Sequence, residues 1–172
     1  MRPQLRILDA CCGQKEWWRG KDTTNVTFLD ILESVKPSVR GTMAHLPFCD
    51  GVFDEIWCDP PHLIRNDIQH WNPMYLRYGR WRTRNEWLTV VHAIGSEFWR
   101  VARSHARLVM KVIDGSIDKH RRTIQLNDLE PIEQYWTCTD VTYEKTKIPW
   151  STAITVFAYY RRRGSSTLEG RS

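Results

Sequence analysis

No stretch of the 172-residue chain approaches the apolar length of a membrane-spanning helix, and Met1 is not followed by the apolar core of a signal peptide. Both absences leave a cytoplasmic setting as the expectation. Cysteines in paired C-x-x-C spacing are lacking too. The five present, Cys11, Cys12, Cys49, Cys58 and Cys138, are an odd number and read as reduced and mostly buried. Neither a zinc site nor a disulfide framework is expected from them. Internal repeats are absent. The length suits one domain with a single core.

Positive charge and tryptophan are what the chain has in excess. A net charge of +5 and a pI near 9.1 favour an anionic partner, nucleic acid above all. Nine tryptophans are many for this length, and several stand where a core has no need of them.

The chain is organised around Ile56-Trp57-Cys58-Asp59-Pro60-Pro61-His62. Asp54 to Cys58 reads as a buried strand, and the two prolines end it because neither offers an N–H to a ladder. Asp59 and His62 are therefore expected on a stiff loop at the strand's carboxyl end, where open α/β sheets bind ligands. Such a loop suits an exocyclic aromatic amine. A carboxylate and the Pro60 carbonyl can each accept one N–H and draw the nitrogen toward tetrahedral geometry, freeing its lone pair. The ring at position 62 can stack on a base held out of its stack.

Taken in order, the pattern predicts strands over Leu5 to Ala10, Val26 to Leu29, Val39 to Met43 and Ala106 to Ile113 around that central strand. Lys15 to Arg19 begins a short helix, and no good helix fits between Ile31 and Val39. Asn85 to Ala102 carries apolar residues at helical spacing. Ile117 to Leu129 is expected to be helical and to stop before Pro131. Tyr135 to Tyr143 and Ala153 to Tyr160 form a hairpin around Lys145 to Trp150. The fold class is α/β: a Rossmann-like, mostly parallel twisted sheet with helices on both faces and an antiparallel C-terminal hairpin. Residues 1–163 make the domain, and 164–172 read as a disordered tail.

The strand ending at Asp9 is followed by Gly13 and then, 21 positions beyond Asp9, by Asp30 at the end of the second strand. A ribose needs such an arrangement: a tight turn for close backbone approach, then an acid for its hydroxyls. Thr42 and Met43 close the third strand at the same edge, where an adenine ring can lie. A nucleoside-bearing cofactor across these strand ends presents its far end to Asp59.

With these motifs the chain resembles the class I, Rossmann-like S-adenosylmethionine-dependent methyltransferases over Leu5 to about Tyr160. Ile7-Leu8-Asp9-Ala10-Cys11-Cys12-Gly13 looks like their first motif, Asp30 like the acid that holds the ribose, and Gly41 to Phe48 like their Gly-Asp-Ala-x-x-Leu-Pro-Phe stretch. Asp59-Pro60-Pro61-His62 is similar to the Asp-Pro-Pro-aromatic motif of the amino-methylating branch, which acts on adenine N6, guanine N2 or protein glutamine. The resemblance implies S-adenosylmethionine as cofactor, held by Asp9, Ala10, Cys11, Cys12, Gly13, Asp30, Ile31, Thr42 and Met43. It implies catalysis by Asp59, Pro60, Pro61 and His62. The chain departs from the family in two ways. Cys11 and Lys15 stand where the first motif usually has glycine, and Thr42 where an acid often reads the adenine amino group.

Between His62 and the long helix, arginines alternate with aromatics, a composition that grips phosphate and stacks bases. Arg65, Trp71, Tyr78, Arg80, Trp81 and Arg82 are the candidate substrate residues there, with Lys147 and Trp150 of the hairpin turn as an opposite wall. The other reading of this loop is a lid whose tryptophans cover the core. Trp17 and Trp18 either flank the cofactor's methionine end or merely pack. The expected activity is methylation of an exocyclic amino group of a nucleic-acid base, adenine N6 before guanine N2, with RNA slightly ahead of DNA. A partner protein or a second copy is an alternative source of target recognition. The rival readings are a catalytically silent nucleic-acid-binding subunit and an enzyme acting on protein glutamine or a small amine.

Overall fold

The computed structural model describes residues 4–65, 79–118, 121–145 and 153–164. In chain order its strands are β1 (Ile7–Asp9), β2 (Val26–Asp30), β3 (Val39–Arg40), β4 (Phe53–Cys58), β5 (Leu63–Ile64), β6 (Ala102–Asp114), β7 (Ser116–Asp118), β8 (Arg121–Thr123), β9 (Trp136–Lys145) and β10 (Ile154–Arg162). The α-helix among them is α1 (Arg84–Val101). The main sheet has seven strands in the order β3-β2-β1-β4-β6-β10-β9. β1, β2, β3, β4 and β6 run parallel, while β10 is antiparallel to both β6 and β9.

Alternation along the strands sends two unlike sets of side chains to the two faces. Leu8, Ile56, Leu108, Met110, Val156 and Ala158 face α1, whose buried stripe is Trp87, Val91, Ile94, Gly95, Phe98 and Val101. Thr83 caps the helix by accepting the Glu86 N–H at 3.1 Å, and the Glu86 carboxylate accepts the Arg82 N–H in return, at 2.5 Å. Gly95 lets the stretch from Ile132 to Trp136 close in. A Cβ there would meet Ile132 Cα at 3.3 Å and the Tyr135 ring at 3.1 Å, and the Gly95 carbonyl accepts from the buried Trp136 indole at 3.1 Å. The opposite face presents Phe28, Trp57, Val109, Phe157 and Tyr159, by register. Among the described residues its helical cover is short: the 3-10 turns Glu16–Trp18 and Glu33–Val35.

Several boundaries differ from the sequence expectation. The third strand is only Val39–Arg40, because a local bridge between Thr42 and His45 turns the chain away. The fifth expected strand begins directly at the helix end, at Ala102, and a register shift against β4 accommodates the added residues. The helix expected over Ile117 to Leu129 does not form. Ser116–Asp118 and Arg121–Thr123 pair with each other, and β8 also pairs with β5, making a small three-stranded sheet. A 3-10 run, Leu126–Gln134, follows and passes through Pro131. The backbone bonds to β5, far away in sequence, outbid the local helical pattern. The tail from 165 onward lies outside the described residues. No helix among those residues is long and apolar enough to cross a membrane.

Candidate active site at the carboxyl edge of the sheet

The loop after β4 is held from two sides. The Trp81 indole donates to the Pro61 carbonyl at 2.7 Å, and the Ile124 N–H donates to the His62 carbonyl at 2.9 Å. Gly79 packs beneath it with φ +71, and a Cβ there would fall 2.9 Å from the Pro61 ring. The Pro60 carbonyl is not among the acceptors so used.

Asp59 projects to the less covered face and meets two protein donors. Lys111 Nζ, on β6, donates to Oδ2 at 2.6 Å, and His62 Nε2 lies 2.7 Å from Oδ1. The Nε2–Oδ1 contact is an ion pair rather than an aligned hydrogen bond, and His62 Nδ1 is buried without a hydrogen-bond partner. Burial is the largest influence on Asp59 and pushes its carboxyl up. His62 close by and the charge and hydrogen bond of Lys111 outweigh it, holding Asp59 below its ordinary value. It is an ionised, pinned carboxylate.

The neighbouring strand ends supply two more acids. Asp30 ends β2 and accepts the Gly13 N–H at 2.9 Å on one oxygen and the Leu32 N–H at 2.9 Å on the other. That ties the first turn to the second strand, and each oxygen keeps a further lone pair. Asp9 is 3 % exposed and accepts from the Trp18 indole at 2.9 Å and the Cys11 N–H at 3.4 Å. Burial lifts Asp9 to about 7 against those two hydrogen bonds, and Asp59 and Asp30 push the same way. Burial likewise raises the Cys11 and Cys58 thiols well above their usual range and Cys12 to about 12, so these are inert packing groups. Among the five cysteines only Cys12 and Cys58 are fully buried; Cys49 is exposed.

The atypical first turn is accommodated in the backbone. Gly13 has φ +44 with nothing within 4 Å of a Cβ, leaving open space over the turn. Lys15, at one of the usual glycine positions, still adopts the left-handed conformation, with φ +56. Its Nζ donates to the carbonyl of Lys36 at 2.7 Å, and Lys36 is itself left-handed with φ +52. The side chain thus braces the two loops that its own conformation strains. Ile31 is 61 % exposed beside Asp30, an apolar surface at the edge where a base ring can rest. Ala10 is buried under the turn, Thr42 is exposed, and the Met43 sulfur sits 3.8 Å from Cys58.

On the target side, the chain from Leu63 to Arg65 pairs with Trp81 through the Arg65 N–H to the Trp81 carbonyl and the Trp81 N–H to the Leu63 carbonyl. The Trp81 ring packs 5.2 Å from Trp87, so it serves the core as well as the loop. Arg80 donates to the Arg65 carbonyl at 3.2 Å, and Arg82 is exposed. Trp71, Tyr78, Lys147 and Trp150 lie outside the described residues. Trp18 binds Asp9, and Trp17 stands edge-on to Trp57 at 4.8 Å, so both pack over the open face close to the acids. The residue that sequence reasoning missed is Lys111. The only signal was a lysine within the apolar run Leu108 to Ile113, since its partner is 52 positions away. Two hollows of about 330 and 390 Å³ lie elsewhere, the first lined by Trp57, Val109 and Tyr159 of the open face and the second by Leu5, Arg103 and His105.

No protein-family model matches the sequence, and no curated protein does. Solved structures do match. Geranyl diphosphate C-methyltransferase from Streptomyces coelicolor A3(2) is 11% identical over 94% of this chain and 74% of its own, with a TM-score of 0.61. The 1,6-didemethyltoxoflavin-N1-methyltransferase of Burkholderia thailandensis is 12% identical, covers 93% and 72%, and scores 0.54. The [4+2]-cyclase SpnF is 10% identical, covers 92% and 74%, and scores 0.61. The chain therefore has the class I methyltransferase fold, which these three proteins put to different uses.

Proposed function

We propose that the chain is an S-adenosylmethionine-dependent methyltransferase acting on an exocyclic amino group of a nucleic-acid base, adenine N6 first and guanine N2 next, with RNA ahead of DNA. One observation carries the reading. Asp59-Pro60-Pro61-His62 stands at the carboxyl edge of β4 with a pinned, ionised carboxylate, a flat ring beside it and a Pro60 carbonyl outside the bonds that fix the loop. The donor-binding half is compatible with the cofactor. Asp30 is fixed for ribose hydroxyls, Ile31 offers an apolar rest for adenine, and Gly13 leaves the turn open. Asp59 offers negative charge where the donor's methionine end carries an ammonium and a sulfonium, and the buried Asp9 carboxyl lies on the neighbouring strand end. When bound, the cofactor supplies an electrophilic methyl group. The chain's own part is to hold the amine in line with it, to accept its N–H groups at the Pro60 carbonyl and the Asp59–His62 pair, and to keep positive charge on nitrogen compensated. Net charge and the arginines around Arg65, Arg80 and Arg82 favour a polyanionic substrate.

The test is transfer of tritiated methyl groups from S-adenosylmethionine onto RNA, duplex DNA, single-stranded DNA and small amines, followed by nucleoside mass spectrometry. Label on adenine N6 or guanine N2 supports the reading. Label confined to small amines, or none anywhere, overturns it.

A further inference from the structure

Resting on that reading, we propose that His62 takes the proton that the target amine gives up, and that Asp59 and Lys111 hold its ring for the purpose. Lys111 occupies Oδ2 of Asp59 at 2.6 Å, which leaves Oδ1 to face His62 Nε2 at 2.7 Å. An ionised carboxylate only accepts, so a nitrogen that close carries its proton on Nε2. In neutral imidazole Nδ1 is then the bare acceptor. Nδ1 is buried and has no hydrogen-bond partner among the described residues. An unmet polar atom in such a place is expected where a substrate completes it. Any aromatic ring stacks on a base; of those rings only histidine's also accepts a proton near neutrality.

The atoms balance. The amine nitrogen bonds to the methyl carbon, the carbon–sulfur bond breaks with its electron pair on sulfur, and one N–H proton passes to His62 Nδ1. The imidazolium rests against Asp59 and later yields the proton to water. His62 is thereby the catalytic residue of the relay, and Asp59 and Lys111 are positioning residues. Among the described residues, the charged groups about the ring are Asp59 on its own loop and Lys111 on β6. Asp9, on β1, acts on Asp59 in turn.

Two measurements test the relay. Long-range ¹⁵N spectra of the unmodified chain, without cofactor, read the tautomer directly. The expected result is a proton on Nε2 of His62, with the other tautomer appearing in Asp59→Asn, whose amide can donate to Nε2. In turnover, His62→Phe keeps a stacking ring. KM for the nucleic acid should stay close to the parent, while kcat falls about a hundredfold and loses its decline toward acid pH. Added imidazole should restore part of the rate in His62→Gly. A proton on Nδ1 in the parent overturns the relay, and so does a His62→Phe enzyme with parental kcat and pH profile. If the unmodified chain methylates nothing, the proposed function fails instead, and the tautomer alone decides whether the relay exists.

Discussion

The two faces of the sheet are built on different principles. Under α1 the packing is apolar and closed: Trp87, Val91, Ile94 and Phe98 of the helix and Leu8, Ile56, Leu108 and Met110 of the strands are all fully buried. On the other face the cover among the described residues is two single turns, and cohesion comes from tryptophan edges and ion pairs. Trp17 and Trp18 lie against Trp57, the Trp57 indole donates to Glu55 at 2.5 Å, and Arg107 pairs with Glu55. The site belongs to this second face. Asp9, Asp30, Asp59 and Lys111 all project there by register, where side chains are reachable from the edge. One face secures the fold, and the thinner one leaves room for chemistry.

The largest effect should come from breaking the closed face. Trp87→Ala should cost about 3–5 kcal/mol, because removing a fully buried indole leaves a cavity that α1 cannot collapse into. Trp17→Ala, with a half-buried ring, should cost about 1 kcal/mol. Urea unfolding of both variants measures the difference, and equal losses would mean that the faces contribute alike.

Next in size is a pH effect confined to the open face. Asp9 titrates at about 7 when folded and near 3.8 when not, so between those values the folded chain holds a proton the unfolded chain has released. Its contribution is therefore complete below pH 4 and is lost as pH rises toward 7, at up to about 1.4 kcal/mol per pH unit. Asp9→Asn keeps an acceptor for Trp18 and should remove this slope. Urea midpoints of parent and variant across pH 4 to 8 test it, since groups shifted the other way, such as Asp59 and Glu97, are common to both.

A smaller effect separates cofactor holding from folding. Asp30→Ala should weaken S-adenosylmethionine binding by roughly tenfold or more, with a charged acceptor lost to the ribose. It should also loosen the Gly13 turn, which Asp30 fixes. Calorimetry on a variant of parental helicity measures the affinity, and an unchanged value removes Asp30 from the site. The smallest effect is expected at Lys36→Gly. Relief of a left-handed non-glycine backbone, about 1 kcal/mol, is nearly offset by the freedom glycine gains when unfolded. A loss well above 1 kcal/mol would show that the Lys36 side chain has a role beyond its carbonyl.

Local signals made much of this legible. Apolar runs marked β1, β2, β4 and β6 within a few residues, helical spacing marked α1, and the prolines at 60 and 61 marked the end of β4. Asp9, Gly13, Asp30 and Asp59 were legible as an edge because strand ends in a parallel sheet lie side by side. The stretch 117–129 was misread, because Thr123 and Arg122 take their hydrogen bonds from Leu63 and Ile64 and no window of sequence contains both partners.

The sequence by itself determined where strands stop and which acids stand at the stops, since those depend on neighbours in the chain and on what proline and glycine allow. Tertiary structure alone decided which cation meets which acid. Lys111 is one polar position in a strand until β6 is laid beside β4, in register Cys58 to Met110, and that pairing brings its amine to Asp59. The two described turns on the second face were likewise set by packing: Glu16–Trp18 and Glu33–Val35 are short, braced by Lys15 on the Lys36 carbonyl. Charge pairs and braces of this kind depend on distances through space, which the order of residues does not contain.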